Sequence, residues 1–408
     1  MKRLSSSTGV RCAVVLGTDV NGLGHIRSLG SRGIRVIGVY PEGNSDSLGR
    51  YSRFCTPLCV PSEGDFEAAL IQRIVSLGNG MGSKPVLFAT SDYYVDLISR
   101  HREVLASHFL FNIPDENTLY AMTNKEALCR AANRIGLRAP RTLVASSRDD
   151  VSAVARSIQY PCLIKPKDSF TVDFPGKSFV ATYAAELLKF ADAHPQLIDW
   201  LLFQEIIPGD ESNIYQCTGY FSSKGEPLQL FTMQKIHQFP PGFGITTLGR
   251  SVLREDLMEM SVYLLTNLGC TGFASVEFKR HSENGNYYLI EVNPRLPWYN
   301  ALFTVCQVNL PLLAFEELSC PDRAGRSRAR QREDVQWMYL RNELAGCWTR
   351  RQSARGDGFL HLLKALPRTR SFAYWCRNDP LPFVMAFLDF LIWLPKVAAR
   401  YVASRWGV

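Results

Sequence analysis

Residues 287–300, YYLIEVNPRLPWYN, read as an apolar strand that carries Glu291, Asn293 and Arg295 at alternate positions. Successive side chains of a strand point to opposite faces, so an acid, an amide and a base converge on one side while Ile290 and Val292 face a core. Pro294 has no N–H and ends the ladder there, which leaves the polar groups at an open rim. Acid and amide oxygens are hard ligands of the type magnesium takes. The segment before it, GFASVEFKRHSENGN, completes a hairpin with Asn284-Gly285 at its turn. For Glu277 to share a face with Glu291 the paired positions must have an even sum. A strict two-residue Asn-Gly turn pairs 283 with 286, an odd sum, and places the acids on opposite faces. A metal shared by both acids therefore requires an odd-length loop or a β-bulge.

The chain of 408 residues is long enough for two or three domains. Its formal charge of +8 is moderate, with much of the excess after Cys320, which points to a local basic patch and away from a general nucleic-acid binder. Eleven cysteines include no CxxC pair, with Cys55 and Cys59 four apart, so reduced, mostly buried thiols and a cytoplasmic location are expected. The opening MKRLSSSTGVRCAVVLG makes a poor signal peptide, because its apolar run is short and adjoins Arg11.

CAVVLG, the loop TDVNGLG, a helix from about His25 and the strand IRVIGVY predict a doubly wound parallel sheet. Gly17, Gly22 and Gly24 do not fit GxGxxG and no acid ends the second strand, which argues against a dinucleotide site. Asp92 ends the strand PVLFAT at its carboxyl edge, where open α/β sheets bind ligands. Asn21, His25, Arg27 and Asp92 are thus candidate substrate contacts, with capping and loop structure as the alternative. A helix follows with its cap at Thr123 or Asn124 and its stop at Gly136. YPCLIKPKDSF is a strand ending in Lys165, and WLLFQEIIPGDESNIYQCTGYF gives a strand, a turn at Pro208-Gly209 and an antiparallel return. Taken singly, Lys125 is a surface lysine, Lys165 snorkels and Glu205 caps a turn. Taken together they offer cations for a polyphosphate, ligands for magnesium and a turn, Gln204–Ile207, whose backbone can read an adenine edge.

In this order the pieces LGTDVNGLGHIRS, EIIPGDESN and TGFASVEF…LIEVNPR resemble the ATP-grasp superfamily and, within it, carboxylate–amine ligases such as the D-aspartate ligases, over roughly residues 12–318. The resemblance implies a Rossmann-like parallel α/β domain over 1–110, a small ATP-grasp subdomain over 111–204 and a large subdomain with the metal site over 205–320. Residues 321–408 form a basic connector and a helical tail. ATP would be bound by Lys125 and Lys165 at the phosphates, by Glu205 and the hinge of Gln204, Ile206 and Ile207 at the adenine, and by Glu211 at the ribose. Glu277, Glu291 and Asn293 would hold one or two Mg2+ ions, with Mn2+ as a substitute, and Arg295 would stabilise the phosphoryl group in transfer. The segment KDSFTVDFPGKS stands where the superfamily has its phosphate-covering loop but keeps only Gly176, so that Lys177 and Ser169 are its candidate phosphate contacts. Lys235 and Arg250, in a segment that faces the acceptor in such ligases, would bind the acyl phosphate or a carboxylate. The activity implied is ATP-dependent joining of a small carboxylate to an amine through an acyl phosphate, which positioned cations and exclusion of water would promote. The alternatives are ATP-grasp phosphorylation or carboxylation of a metabolite, or a non-catalytic nucleotide-binding scaffold at a membrane. Many relatives of this type are dimers. The apolar run Phe383–Leu394 is too short to span a bilayer; with Trp393, Trp406, Lys396, Arg400 and Arg405 it either docks on the protein or lies peripherally on the inner face of a membrane.

Overall fold

The computed structural model describes residues 12–167, 174, 175, 178–320, 329–351 and 358–391. Lys177, Ser169, Gly176 and the tail residues Trp393, Lys396, Arg400, Arg405 and Trp406 lie outside the described residues.

The first sheet contains β1 (Cys12–Leu16), β2 (Arg35–Pro41), β3 (Cys55–Val60) and β4 (Val86–Ala89), all parallel in the order β3-β2-β1-β4. The order reverses between β1 and β4, and their carboxyl ends carry Asp19 and Asp92. Asp19 caps the helix Val20–Gly30 by accepting from Gly22 N–H. The glycines of this turn serve packing: a Cβ on Gly22 would strike the Gly17 carbonyl, and one on Gly24 would strike the Asn300 side chain.

The second sheet is antiparallel, in the order β5-β8-β6-β7, from β5 (Thr142–Val144), β6 (Cys162–Pro166), β7 (Phe179–Ala181) and β8 (Leu201–Glu205). Cys162, Ile164, Leu201 and Phe203 pack with the helices Arg148–Ser157 and Ala184–Ala193 on one face. Alternation then turns Leu163, Lys165, Leu202 and Gln204 to the other face.

The third sheet has seven strands: β9 (Ile214–Phe221), β10 (Pro227–Phe239), β11 (Ile245–Ser251), β12 (Gly272–Arg280), β13 (Tyr287–Asn293), β14 (Gln336–Met338) and β15 (Thr369–Phe372). They run in the order β13-β12-β9-β10-β11-β14-β15. One face carries Val276, Phe278, Leu289 and Val292 against the helix Glu255–Asn267. The other packs Phe231, Met233 and Trp337 with Leu296 and Tyr299, against Ala13, Leu23 and Phe88 of the first domain. The part after Cys320 contains the expected helices, Leu340–Arg351, Gly358–Ala365 and residues 381–391, and adds β14 and β15 to the edge of the large sheet.

Three of the four candidate contacts around the first turn are structural. Asn21 is buried and donates to the carbonyls of Thr90 and Leu296, while Asn300 donates back to Asn21. His25 is buried against Phe88 and Phe273, its Nδ1 bonded to the Asn21 carbonyl, and burial pushes its pKa down to about 4. Arg27 reaches the far end of the chain, with Nε 2.8 Å from Asp379 Oδ2 and Nη2 bonded to the carbonyls of Tyr374 and Asp379. Asp379 also accepts from Ser52 Oγ and Arg53 N–H, so this buried carboxylate is held from three sides.

Among the described residues no disulfide is formed. Among the described residues no helix is long and apolar enough to cross a membrane.

Candidate functional site

The hairpin of β12 and β13 sets the site. Next to its loop the pairs are Arg280 with Tyr287 and Phe278 with Leu289, odd sums that would separate the acids. A bulge then leaves Ile290 without a partner, and beyond it Glu277 stands opposite Glu291 and Ser275 opposite Asn293. The condition set by the sequence is met by the bulge. Glu277, Glu291 and Asn293 share the face that turns toward the first domain.

Each acid is held by neighbours. Glu277 Oε2 accepts from Gln216 Nε2 and lies 3.3 Å from Lys235 Nζ. Gln216 is opposite Glu277 on β9, and the Tyr299 hydroxyl donates to its Oε1. Glu291 Oε1 accepts from Asn293 Nδ2 at 3.1 Å. Among the described residues the other oxygen of each carboxylate has no hydrogen-bond partner, so the pair faces itself with two oxygens to spare. Burial pushes the Glu277 carboxyl up and the Glu291 charge adds to that, with Lys235 opposing. Burial also raises Glu291, but the Asn293 amide and the ammonium groups of Lys235, Lys165 and Lys125 outweigh it and hold its pKa below the usual value. Two carboxylates facing each other in a buried setting, beside an amide oxygen, fit a divalent ion of the magnesium type. No three His, Cys, Asp or Glu side chains gather as a metal cluster among the described residues, so the third donor of such a site is Asn293.

The lysines close around the acids. Lys165 ends β6 on the open face of the small sheet, and burial, with Lys125 beside it, pushes its pKa down to about 8 against the pull of Glu291. Lys125 opens the helix Lys125–Arg134, capped by Asn124, along the β13 edge of the large sheet. Three ammonium groups against two carboxylates leave the site one positive charge (3 − 2), which suits a polyphosphate. Above pH 8 the free protein loses the Lys165 charge, so binding of a nucleotide there must take up a proton. Mg-ATP affinity should therefore fall by about tenfold per pH unit above that point. Calorimetry in buffers of different ionisation enthalpy reads the uptake; a flat profile for wild type, or an unchanged one for Lys165→Arg, would remove Lys165 from the phosphate site.

Arg295 links this site to the first domain. Its Nη2 is 2.8 Å from Asp92 Oδ2 at the carboxyl end of β4, and its position is fixed by Asn21 and Asn300, which tie Leu296–Asn300 to that sheet. Asp92 is thus part of the site, as the holder of the arginine.

The hinge residues are placed at the end of β8. Gln204 is buried and donates to Thr142 Oγ1, and the Glu205 carboxylate accepts from Arg141 N–H. Ile206 and Ile207 follow as irregular backbone, Ile207 buried. Glu211 accepts from the N–H groups of Gln238 and Gly242 and so pins the turn between β10 and β11.

Arg250 is not brought to the site. It stands opposite Gln234, one position out of phase with Lys235, and bonds Gln234 Oε1 at 2.7 Å with Asp334 at 3.6 Å. Alternation puts it on the face away from Glu277. Gln216 and Tyr299 are the residues the sequence reading lacked; a glutamine inside the apolar strand YQCTGYF was the available signal.

Known proteins are similar to this chain in sequence and in fold. Residues 229–312 match the ATP-binding domain of the carbamoyl-phosphate synthase L chain. A D-aspartate ligase of Enterococcus faecium is 24% identical over 325 residues, 74% of this chain and 76% of that protein. Among solved structures, the biotin carboxylase domain dimer of Hydrogenobacter thermophilus 2-oxoglutarate carboxylase, with MgADP, ADP and bicarbonate, superposes with a TM-score of 0.62 at 15% identity, covering 81% of this chain and 74% of that one. An L-amino acid ligase of Bacillus licheniformis superposes with a TM-score of 0.57 at 14% identity, covering 76% and 75%. The resemblance to ATP-grasp ligases is borne out, and with it the ATP-binding fold.

Proposed function

We propose that this chain is an ATP-dependent ligase that activates a carboxylate as an acyl phosphate and joins it to an amine. The observation that carries the reading is the bulge-set pairing of Glu277 with Glu291 inside a ring of Lys235, Lys165 and Lys125. Glu277, Glu291 and Asn293 would hold magnesium, which would supply positive charge against the phosphates. Lys125 and Lys165 hold the polyphosphate, the Gln204–Ile207 turn takes the adenine, and Arg295, aimed by Asp92, faces the phosphoryl group as it moves. Lys235 sits between Glu277 and Gln238, where it can neutralise the acyl phosphate. The γ-phosphoryl group passes to a carboxylate oxygen and ADP leaves. The amine then attacks the acyl carbon, phosphate departs and the ammonium proton is lost. The likeness to a D-aspartate ligase makes aspartate the first acid to test. A homodimer, supported by the dimeric carboxylase neighbour, completes the reading.

Hydroxylamine tests it, because it intercepts acyl phosphates as stable hydroxamates. Protein, Mg-ATP and hydroxylamine are incubated with D-aspartate and with pooled carboxylic acids, and hydroxamate masses and ADP are recorded. A hydroxamate that needs ATP and Glu291 is the expected result. ADP release without any hydroxamate would replace the ligase with phosphorylation or another ATP-grasp outcome.

A further inference from the structure

The C-terminal helix over 381–391 exposes only apolar side chains. Leu381, Val384, Phe387, Leu388 and Leu391 are each between 45% and 51% exposed. At 100° per residue they fill a single arc of about 120°. The opposite arc, with Pro382 and Ala386 buried and Phe383 and Met385 partly so, packs on the core shared with Tyr374. Trp375, 45% exposed, stacks edge-on against Phe383 beside this arc. Soluble surfaces scatter such residues singly, so a continuous apolar arc marks a docking face.

The charges of the same stretch of chain choose the occupant. Between 358 and 391 the exposed charged residues are Lys364, Arg368, Arg370 and Arg377. Of the two acids in that span, Asp379 is buried on Arg27, and Asp389, with 35% of its side chain exposed, is paired 3.3 Å from Arg341 Nη1. The sequence beyond Asp389 adds Lys396, Arg400 and Arg405, no acid, and the tryptophans Trp393 and Trp406. A second copy of the chain would bring the same positive charge against itself. Five half-exposed side chains also fall short of the roughly 800 Å2 per partner that a stable dimer takes. An apolar arc with Trp375 beside it, in a stretch whose exposed charges are all basic, matches the boundary of an anionic bilayer.

We propose that the exposed arc of residues 381–391 docks this protein on an anionic lipid surface. The helix lies in the plane of the headgroups, its five apolar side chains reach the acyl boundary, and the flanking bases pair with lipid phosphates. This inference does not depend on the ligase reading.

Flotation of the full chain with vesicles tests it. Neutral phosphatidylcholine vesicles are compared with vesicles that contain 30%, roughly the upper physiological range, of phosphatidylglycerol. The expected result is recovery with the anionic vesicles only, weakened by 0.5 M salt, in line with screening within a few ångströms at such strength, about 4–5 Å. Phe387→Ser with Leu388→Ser should lower recovery at least about tenfold, since both side chains lie in the arc. The variant's Mg-ATP binding and circular dichroism should match wild type. Equal recovery of wild type and variant, or none of wild type, overturns the proposal. So does a wild-type dimer in sedimentation that the double variant abolishes, because the arc would then be a self-interface.

Discussion

Glu291→Ala lowers ADP release by about a thousandfold or more, since loss of a metal ligand removes several kcal/mol of charge stabilisation and each 1.36 kcal/mol is tenfold. Thermal stability moves the other way or not at all. Glu291 faces Glu277, and part of the rise in the Glu277 pKa comes from that charge, so removing it relieves repulsion in a buried pair. Asn293→Ala should behave alike, because its amide bonds Glu291 and would be the third donor of the proposed metal site. The measurement pairs steady-state ADP release with a melting curve and with titration of Mn2+ in place of Mg2+. Turnover near wild type in either variant would place the metal elsewhere. A large drop in melting temperature would show that the carboxylates hold the fold instead.

The second large effect belongs to Arg295. Arg295→Ala removes the only arginine that the described structure sets at the metal end of β13, and kcat should fall by about 100- to 1000-fold, the range seen when one donor to a developing charge is deleted. Arg295→Lys keeps the charge but loses the fork that reaches Asp92, so it should recover little. Asp92→Asn separates aiming from charge. It weakens a charge-assisted bond worth about 1.5–3 kcal/mol, so kcat falls by about ten- to a hundredfold while KM for Mg-ATP stays put. An Asp92→Asn enzyme with normal kcat would mean that the Arg295–Asp92 pair is a strut between domains and no more.

The sequence carried the site's composition further than its assembly. The odd sums at the base of the hairpin were legible from Asn284-Gly285, and the need for a bulge followed by arithmetic. Where the bulge falls was not, because an extra residue such as Ile290 leaves no local signal in an apolar strand. Arg250 was misplaced for a related reason. β10 and β11 slip register on both sides of His237, so a residue's face there depends on bulges that composition does not announce. The opening turn misled in the opposite direction. Asn21, His25 and Arg27 look like ligand contacts in a glycine-rich loop, and only the distant partners Leu296, Phe273 and Asp379 show that they are joints. The parallel opening sheet and the helix cap at Asn124 were readable because both rest on local periodicity and capping chemistry. β14 and β15, three and four residues long, were too short to show a period.

The Arg27–Asp379 clasp has a bearing on how the chain is made. Its two halves are 352 residues apart, and ribosomes add about 5–20 residues per second, so Arg27 is synthesised roughly 20–70 s before its carboxylate exists. During that interval the first sheet can form, but its guanidinium must stay hydrated and the surface that later receives Tyr374 must stay open. Completion of the amino-terminal domain is thereby tied to arrival of the last-made part of the described fold. A nascent chain arrested before residue 379 should expose Arg27 and the helix Val20–Gly30 to protease, and release of the longer chain should close that window.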